Sequence, residues 1–156
     1  MTKLKVVAEP GKHEILMTRD FDAPRALVFK AYTDPKLVSQ WWGPKGATTT
    51  VDQMDVKPGG IWRYVQRDPD GSEYGFYGVY HQITAPERLV CTFEFEGTPG
   101  HVLLETIIFE DHDGKTKLID SLVFQSVADR DGMLQSGMEE GSEEGWDRFA
   151  DLLKTL

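Results

Sequence analysis

Two acidic residues interrupt strand-like segments that are otherwise apolar, and they are the residues most suited to chemistry. Glu105 and Asp120 each lie within a run of apolar residues. If these side chains faced the interior, burial would raise their pKa and make them candidate acids or bases near Tyr64 or His81. Because acidic side chains are seldom buried, our preferred interpretation places both on the solvated face of the sheet. No catalytic residue is therefore identified.

The histidines do not form a metal-binding pattern. His13, His81, His101 and His112 lack the spacing of metal ligands, and a single cysteine, Cys91, cannot complete a zinc set. The P-loop, the dinucleotide-binding fingerprint and the nucleophile elbow are also absent. We therefore predict no metal and no cofactor.

Cys91 is interpreted as a small buried core residue. It lies in a strand-like apolar run, and no histidine, lysine or arginine is adjacent in sequence to lower its pKa. One cysteine also excludes an intramolecular disulfide. We expect Cys91 to contribute packing rather than nucleophilic chemistry.

Three glycines at four-residue spacing are the most informative local feature. Gly137, Gly141 and Gly145 lie in the C-terminal segment, which otherwise has a helical apolar period. Each glycine in a helix interior costs about 1 kcal/mol relative to alanine, so a compensating contact or function is expected. Either another group packs closely against the helix there, or the bare stretch forms one wall of a cavity. The two explanations are compatible.

Aromatic residues recur on the strands that would face this helix. Trp62 and Tyr64 share one face of their strand, and Phe76 and Tyr80 share one face of the next, while Phe93 continues the pattern. These rings could be core residues or the wall of an apolar pocket. The inward face of several strands stays open, because alternate residues such as Tyr77 and Val79 are also apolar.

Two adjacent tryptophans precede a turn. Trp41 and Trp42 end a short helical segment before Gly43 and Pro44. Since neighbouring helical residues point about 100° apart, one ring is expected to pack inward and the other to lie near a rim. The rim tryptophan could contact a ligand or partner, or simply anchor the helix.

The composition excludes several classes of partner. The chain has 156 residues, 40% of them hydrophobic, and a formal net charge of −9, which fits one packed domain and opposes binding to nucleic acid or anionic lipid. No apolar run approaches the roughly 18 residues of a membrane-spanning helix, and no signal peptide is recognisable. We expect a single domain, no membrane insertion and a cytoplasmic location.

The elements that must position these residues follow from alternating apolar patterns separated by turn residues. Strands are predicted over residues 13–21, 47–54, 61–67, 73–84, 88–96, 102–110 and 117–124. Two short helices, the first capped by Asp22 near Pro24, occupy residues 22–32 and 36–42, and a long helix is predicted over 129–156. Residues 1–12 are interpreted as a disordered tail. Every strand connection is too short for a parallel crossover, so the predicted fold class is α+β with a curved antiparallel sheet.

The order of these elements resembles the helix-grip fold of START-like (SRPBCC) proteins. More specifically, the chain resembles the single-domain bacterial homologues of the activator of the heat shock ATPase, often called AHSA-type proteins. The resemblance covers residues 13–156. The motifs that carry it are Phe21-Asp22-Ala23-Pro24, Val28-Phe29-Lys30-Ala31, Trp41-Trp42-Gly43-Pro44, Pro58-Gly59-Gly60, Gly78-Val79-Tyr80, Pro86-Glu87-Arg88-Leu89-Val90 and Ser136-Gly137-Met138-Glu139-Glu140-Gly141.

This resemblance implies a cavity between the sheet and the terminal helix, without naming its occupant. The leading hypothesis is binding of an apolar or amphipathic small molecule there. The candidate ligand-binding residues are Trp42, Met54, Trp62, Tyr64, Phe76, Phe93, Met138, Gly141 and Gly145. The alternatives are a co-chaperone-like module that binds a chaperone ATPase, and a cyclase- or hydrolase-type enzyme that uses a cavity carboxylate or histidine.

Overall fold

The computed structural model describes residues 3–156, which form an antiparallel sheet flanked by helices. In chain order the elements are β1 Lys5–Val7, β2 Glu14–Phe21, α1 Arg25–Thr33, α2 Pro35–Trp41, β3 Thr48–Met54, β4 Ile61–Arg67, β5 Glu73–Thr84, β6 Arg88–Phe95, β7 Val102–His112, β8 Lys115–Val123, α3 Val127–Gln135 and α4 Met138–Leu153. The fold class predicted from the sequence is confirmed. None of the described helices combines the length and apolar character that a bilayer-spanning helix needs.

The sheet is a meander that is completed by the first strands. Its order is β1-β2-β8-β7-β6-β5-β4-β3, so β2 pairs with the last strand, and every pair is antiparallel. Register shifts interrupt β3 between Val51 and Gln53 and β5 between Tyr80 and Gln82. Such bulges bend a strand and increase its twist. The resulting curvature gives the sheet one face that can wrap around a helix.

The C-terminal half of α4 supplies the main core contact with this face. Phe149 is fully buried, and its ring centroid lies 5.2 Å from that of Phe21 and 4.6 Å from that of Trp41. The core continues through Phe109 and Leu118 on β7 and β8. Burial of such side chains contributes about 1.5–3 kcal/mol each. This end of the molecule is therefore solidly packed and holds α4 against the sheet.

The N-terminal segment contains structure that the sequence did not indicate. The interpretation of residues 1–12 as a disordered tail is wrong for β1: Val6 pairs with Met17 of β2, and Val6 packs against the main core. Three residues are too few to show a reliable alternation, and this strand is formed by pairing with a stronger neighbour. The interpretation of residues 1 and 2 lies outside the described residues.

The terminal helix is divided in two, whereas the sequence predicted one helix over residues 129–156. Gly137 lies between α3 and α4 with φ +85°, a left-handed conformation that glycine adopts at little cost. The Ser126 side chain caps α3 by accepting a hydrogen bond from the Asp129 amide at 3.0 Å. The first of the three spaced glycines therefore ends one helix and starts the next.

The starts of the two short helices also differ from the prediction. Pro24, not Asp22, is the residue that caps α1, and no side chain caps this helix. Instead Asp34 caps α2, where its Oδ1 accepts a hydrogen bond from the Lys36 amide at 3.0 Å. The two helices thereby follow one another directly, and their end buries Trp41 in the core and leaves Trp42 half-buried.

Candidate ligand-binding cavity

A cavity of about 870 Å³ lies between the concave face of the sheet and the helices α3 and α4. Ligand pockets usually measure about 300–1,000 Å³ and are mostly apolar with a few polar groups. This cavity matches both criteria, because its wall is largely aromatic and aliphatic and carries a smaller number of polar groups. It begins where the solid core around Phe149 ends.

Five aromatic rings form a continuous wall. Trp42 contacts both Tyr64 and Phe76 with centroid distances of 5.1 Å, and Trp62 lies 4.7 Å from Tyr64. Phe76 lies 5.5 Å from Phe93 on the next strand. All five belong to the cavity lining. The aromatic face that the sequence left undetermined on β5 is therefore the one that contains Phe76.

Trp62 is held in place by a glycine on the neighbouring strand. Its indole Nε1 donates a hydrogen bond to the carbonyl oxygen of Thr92 at 3.2 Å, passing beside Gly78, which is its partner in the β4–β5 register. A Cβ at Gly78 would lie 1.9 Å from that carbonyl oxygen and 2.6 Å from the indole nitrogen. Only glycine leaves room for this contact, so the buried N–H is satisfied and the ring is fixed.

The opposite wall is provided by α4, where the two remaining glycines differ. An added Cβ at Gly141 would meet nothing within 4 Å, whereas one at Gly145 would lie 3.4 Å from the Gly43 carbonyl oxygen. Gly141 therefore borders open space, and Gly145 lets the loop after α2 pack closely. Met138, one turn before Gly141, also lines the cavity.

One predicted site residue lies elsewhere. Met54 is not part of the cavity lining; it is half-buried at the end of β3 and packs at the smaller core cluster around Trp62 and Tyr64. It lies opposite Trp62 in the β3–β4 register, on the strand that forms the far edge of the sheet, and packs against that ring without bordering the cavity. The other eight predicted residues all border the cavity.

The two carboxylates that the sequence placed on the solvated face lie inside instead. Asp120 is only 3% exposed, and the accessible surface of Glu105 contributes to the cavity wall. Glu105 is opposite Leu122 in the β7–β8 register, and Asp120 is opposite Ile107, so the two acids are diagonal neighbours on the inner face. The placement outside was wrong because each acid supplies the hydrogen-bond partner that makes burial of the other tolerable. His81 is exposed to solvent.

The two carboxyl groups share a proton. Burial raises the pKa of Asp120 well above its ordinary value, and the charge of Glu105 and a hydrogen bond to it raise this pKa further. Burial also raises the pKa of Glu105, although hydrogen bonds from Asp120 and Cys91 oppose the shift. Because both pKa values are raised and the two groups are linked by a hydrogen bond, the pair holds a proton to a higher pH than either free acid would. The pair therefore carries at most one full charge into the cavity.

Cys91 completes a row across three strands. It is paired with Tyr80 of β5 and with Glu105 of β7, and its Sγ donates to Glu105 Oε1 at 3.8 Å. Burial and the neighbouring carboxyl charges raise the pKa of the Cys91 thiol well above its usual value. A thiol that stays protonated is a poor nucleophile. Its role in the site is to donate a weak hydrogen bond.

Two buried tyrosines and a half-buried one lie around the acidic pair. Tyr64 and Tyr80 are hydrogen-bonded to each other, and burial raises the pKa of both phenols. On α1, Tyr32 accepts a hydrogen bond from Trp146 Nε1 at 2.8 Å, and burial together with the charge of Asp120 raises its pKa. The phenols stay neutral and can orient the polar end of a ligand. Sequence reasoning missed Tyr32 because it lies on a separate helix.

Metal chemistry has no assembled site in the described part of the chain. Among residues 3–156, no three histidine, cysteine, aspartate or glutamate side chains come together in a way that could hold a metal ion. The Glu105–Asp120 pair with Cys91 is held by internal hydrogen bonds instead. The polar cluster can therefore accept, donate or exchange protons with a bound molecule.

Comparison with known proteins agrees with this architecture. Residues 22–155 match the sequence profile of the family described as Activator of Hsp90 ATPase homolog 1-like protein. The crystal structure of a Mycobacterium smegmatis protein is 25% identical, with 97% of each chain covered and a TM-score of 0.88. The solution structure of an Arthrobacter aurescens protein is also 25% identical and covers 99% of this chain and 94% of the other, with a TM-score of 0.91.

A third structure extends the likeness of the fold. The crystal structure of a Rhodobacter sphaeroides protein superimposes with a TM-score of 0.90 at 24% identity, and covers 99% of this chain and 100% of the other. None of the curated proteins matches this sequence significantly. The relatives therefore support the family and the fold, and the chemistry of the cavity must be argued from its own residues.

Proposed function

The chain belongs to the family of Activator of Hsp90 ATPase homolog 1-like proteins, and we propose that it binds an apolar or amphipathic small molecule in the cavity between the sheet and α4. The observation that carries this proposal is the 870 Å³ space itself, bordered by aromatic rings on one side and by Gly141 on the other. A side chain at position 141 would project into that space. Its absence keeps room for a ligand despite the loss of helix propensity.

The cavity is suited to a ligand with two chemically different ends. The rings of Trp62, Phe76 and Phe93 offer apolar surface to its body. Glu105 and Asp120, with the phenols around them, offer the polar contacts that would orient the other end. Apolar contact would supply most of the affinity, and the few polar groups would supply selectivity.

Native mass spectrometry of the purified protein, followed by solvent extraction and a binding screen of lipids and polyaromatic compounds, tests this proposal. We expect at least one class to bind saturably with one molecule per chain. A Gly141→Leu variant should weaken that binding because its side chain occupies the cavity. Glu140→Leu is the matched control, since Glu140 is the preceding residue of α4 and is exposed. Equal effects of the two variants, or no saturable binding by any class, would contradict the proposal.

A second candidate function rests on the acidic pair. A hydrogen-bonded Glu105–Asp120 pair facing a cavity could exchange a proton with a bound substrate, as general acid–base catalysis requires. Chromatography coupled to mass spectrometry would detect conversion of any compound found to bind. Loss of conversion with retained binding in Asp120→Asn would support an enzyme. A ligand recovered unchanged from the parent protein would contradict it.

The family description also suggests a co-chaperone-like role. The measurement is the ATPase rate of the Hsp90-type chaperone from the same organism, with and without this protein. Stimulation that survives Gly141→Leu would indicate a surface interaction independent of the cavity. An unchanged ATPase rate would leave small-molecule binding as the better account.

A further inference from the structure

The cavity lining is acidic and carries no lysine or arginine among the residues that the structure describes. Its acidic members are Asp68, Glu105, Asp120 and Asp129. The one histidine of the lining, His101, lies at the rim with its Nδ1 2.9 Å from Asp129 Oδ1, and more than half of its side chain is exposed. A largely apolar cavity whose lining carries acidic groups and no lysine or arginine favours a positive ligand.

The inner end of the cavity contains a hydrogen-bond acceptor that needs a donor. Asp120 Oδ1 is buried, and no hydrogen bond to it is found among residues 3–156. A buried carboxyl oxygen without a hydrogen bond is unfavourable, because it has lost its contact with water and gained no partner. The partner of Asp120, Glu105, already accepts from the Cys91 thiol. A ligand that brings a new donor would therefore satisfy an existing deficit.

Among residues 3–156, no lysine or arginine from the elements packed around the pair borders the cavity. Tyr32 on α1, Tyr64 on β4 and Tyr80 on β5 are neutral phenols, as described above. On β2, Arg19 shares the inner face with Met17, but its guanidinium donates to Asp147 Oδ1 at 2.7 Å and lies over the Phe21 ring, outside the cavity lining.

The residues of α4 and β6 that line the cavity add no charge near the acidic pair. The lining residues from α4 are uncharged: Met138, Gly141, Ser142, Gly145 and Trp146. On β6 the nearest group is the Cys91 thiol, which stays protonated. The acidic pair is therefore the dominant electrostatic feature of the inner end.

We propose that the cavity selects ligands with a protonated amine on an apolar body over neutral or anionic ligands of the same shape, with the ammonium group bound between Glu105 and Asp120. This inference rests on the proposed binding function and names its ligand class. The ammonium group donates to Asp120 Oδ1 and to Glu105, and it takes the place of the proton that the pair shares. That proton passes to the solvent, so binding of the amine releases up to one proton.

The exchange of a proton for the ammonium group determines how ligand affinity changes with pH. The ammonium ion and the shared proton compete for one site, so affinity for the amine rises as pH increases through the titration of the pair, as long as the amine stays protonated. Affinity for a neutral ligand that does not replace the proton lacks this rise. A carboxylate ligand would add negative charge beside the pair and bind weakest.

Two sets of three probes test the charge preference with the apolar body held constant: decylamine, decan-1-ol and decanoate, and 2-naphthylmethylamine, 2-naphthylmethanol and 2-naphthoate. Isothermal titration calorimetry at pH 7.5 should give a dissociation constant for the amine at least tenfold lower than that for the alcohol, and the highest value for the carboxylate. Titration in buffers with different ionisation enthalpies should show proton release for the amine alone. An alcohol or carboxylate that binds as tightly as its amine would overturn this inference while leaving the binding function intact. Absence of saturable binding by all six probes would contradict both.

Isosteric variants test whether Glu105 and Asp120 cause the preference for the amine over the alcohol. Asp120→Asn and Glu105→Gln should reduce the amine-to-alcohol ratio of affinities to within about threefold of unity. Glu110→Gln is the control, because Glu110 lies on the same strand but is exposed and outside the lining. Circular dichroism checks that each variant folds. A preference that survives both inner substitutions would show that the pair does not bind the amine.

Discussion

Glu105 and Asp120 lie diagonally across two adjacent strands, and a hydrogen bond between their carboxyl groups holds a proton inside the cavity. Fourteen residues of chain, including a tight turn at Asp113 and Gly114, separate the two acids in sequence. The antiparallel register alone brings them together. Neither acid would tolerate burial without the other, so the sheet creates a group that neither strand contains by itself.

The pair makes folding stability depend on pH. The pKa of Asp120 is raised well above its ordinary value by burial and by Glu105, so above about pH 4 the folded state retains a proton that the unfolded state has lost. Stability from this group is fully present below about pH 4 and declines as pH rises through the folded-state pKa. We therefore expect Asp120→Asn to be more stable than the parent at pH 8, by on the order of 1 kcal/mol, and similar to it at pH 4.

Urea unfolding at several pH values between 4 and 8, followed by circular dichroism, measures this difference. Glu110→Gln removes an exposed carboxylate from the same strand and serves as the control. A stability difference between Asp120→Asn and the parent that stays constant over this range would show that the pair does not share a proton in the folded state.

The two glycines around the start of α4 should respond to alanine in opposite directions. Gly141 has open space around it and a helical backbone, so Gly141→Ala should stabilise the protein by about 0.5–1 kcal/mol. Gly137 has φ +85°, so Gly137→Ala should destabilise it by about 1–2 kcal/mol. Differential scanning calorimetry of the two variants should show Tm shifts of opposite sign. Shifts of the same sign would mean that the break between α3 and α4 is absent in solution.

Substitution of the two adjacent tryptophans should have different effects: loss of Trp41 should mainly reduce stability, and loss of Trp42 should mainly reduce ligand binding. Trp41 is 3% exposed, and its Nε1 donates to the Ala31 carbonyl at 2.9 Å, so Trp41→Ala should cost about 3–5 kcal/mol of stability. Trp42 is half-buried at the cavity wall, so Trp42→Ala should cost less and weaken ligand binding about tenfold. Chemical denaturation and calorimetric titration with an identified ligand test the pair. The distinction fails if Trp42→Ala unfolds the protein as readily as Trp41→Ala.

The succession of the longer strands along the chain and their antiparallel pairing could be predicted from the sequence, because segments of alternating polarity are separated by turn residues. The run Glu73–Thr84 was placed with its observed bounds, since β-branched and aromatic residues lie between Asp70-Gly71 and Pro86. The short strand β1 gave no such signal, and it forms only because Met17 and its neighbours offer an edge. The break at Gly137 was missed because a helical apolar period continues on both sides of it.

The candidate site was only half predictable. Aromatic residues on alternate positions indicated a wall, and eight of the nine proposed ligand-binding residues border the cavity. The polar cluster was missed because burial of Asp120 depends on Glu105, and their contact depends on a register that no local pattern encodes. One signal was available: a lone acid in each of two strands joined by a hairpin can meet its counterpart across the pair.

The central claim is that the space between the sheet and α4 binds a small molecule with its polar end at Glu105 and Asp120. Two-dimensional NMR of isotope-labelled protein titrated with 2-naphthylmethylamine tests it most directly. The account predicts saturable shift changes for the Trp62 indole N–H and for the amides of Phe93, Glu105, Asp120 and Gly141, and none for the outward-facing Glu110. Shift changes confined to exposed residues, or none at millimolar probe, would contradict it.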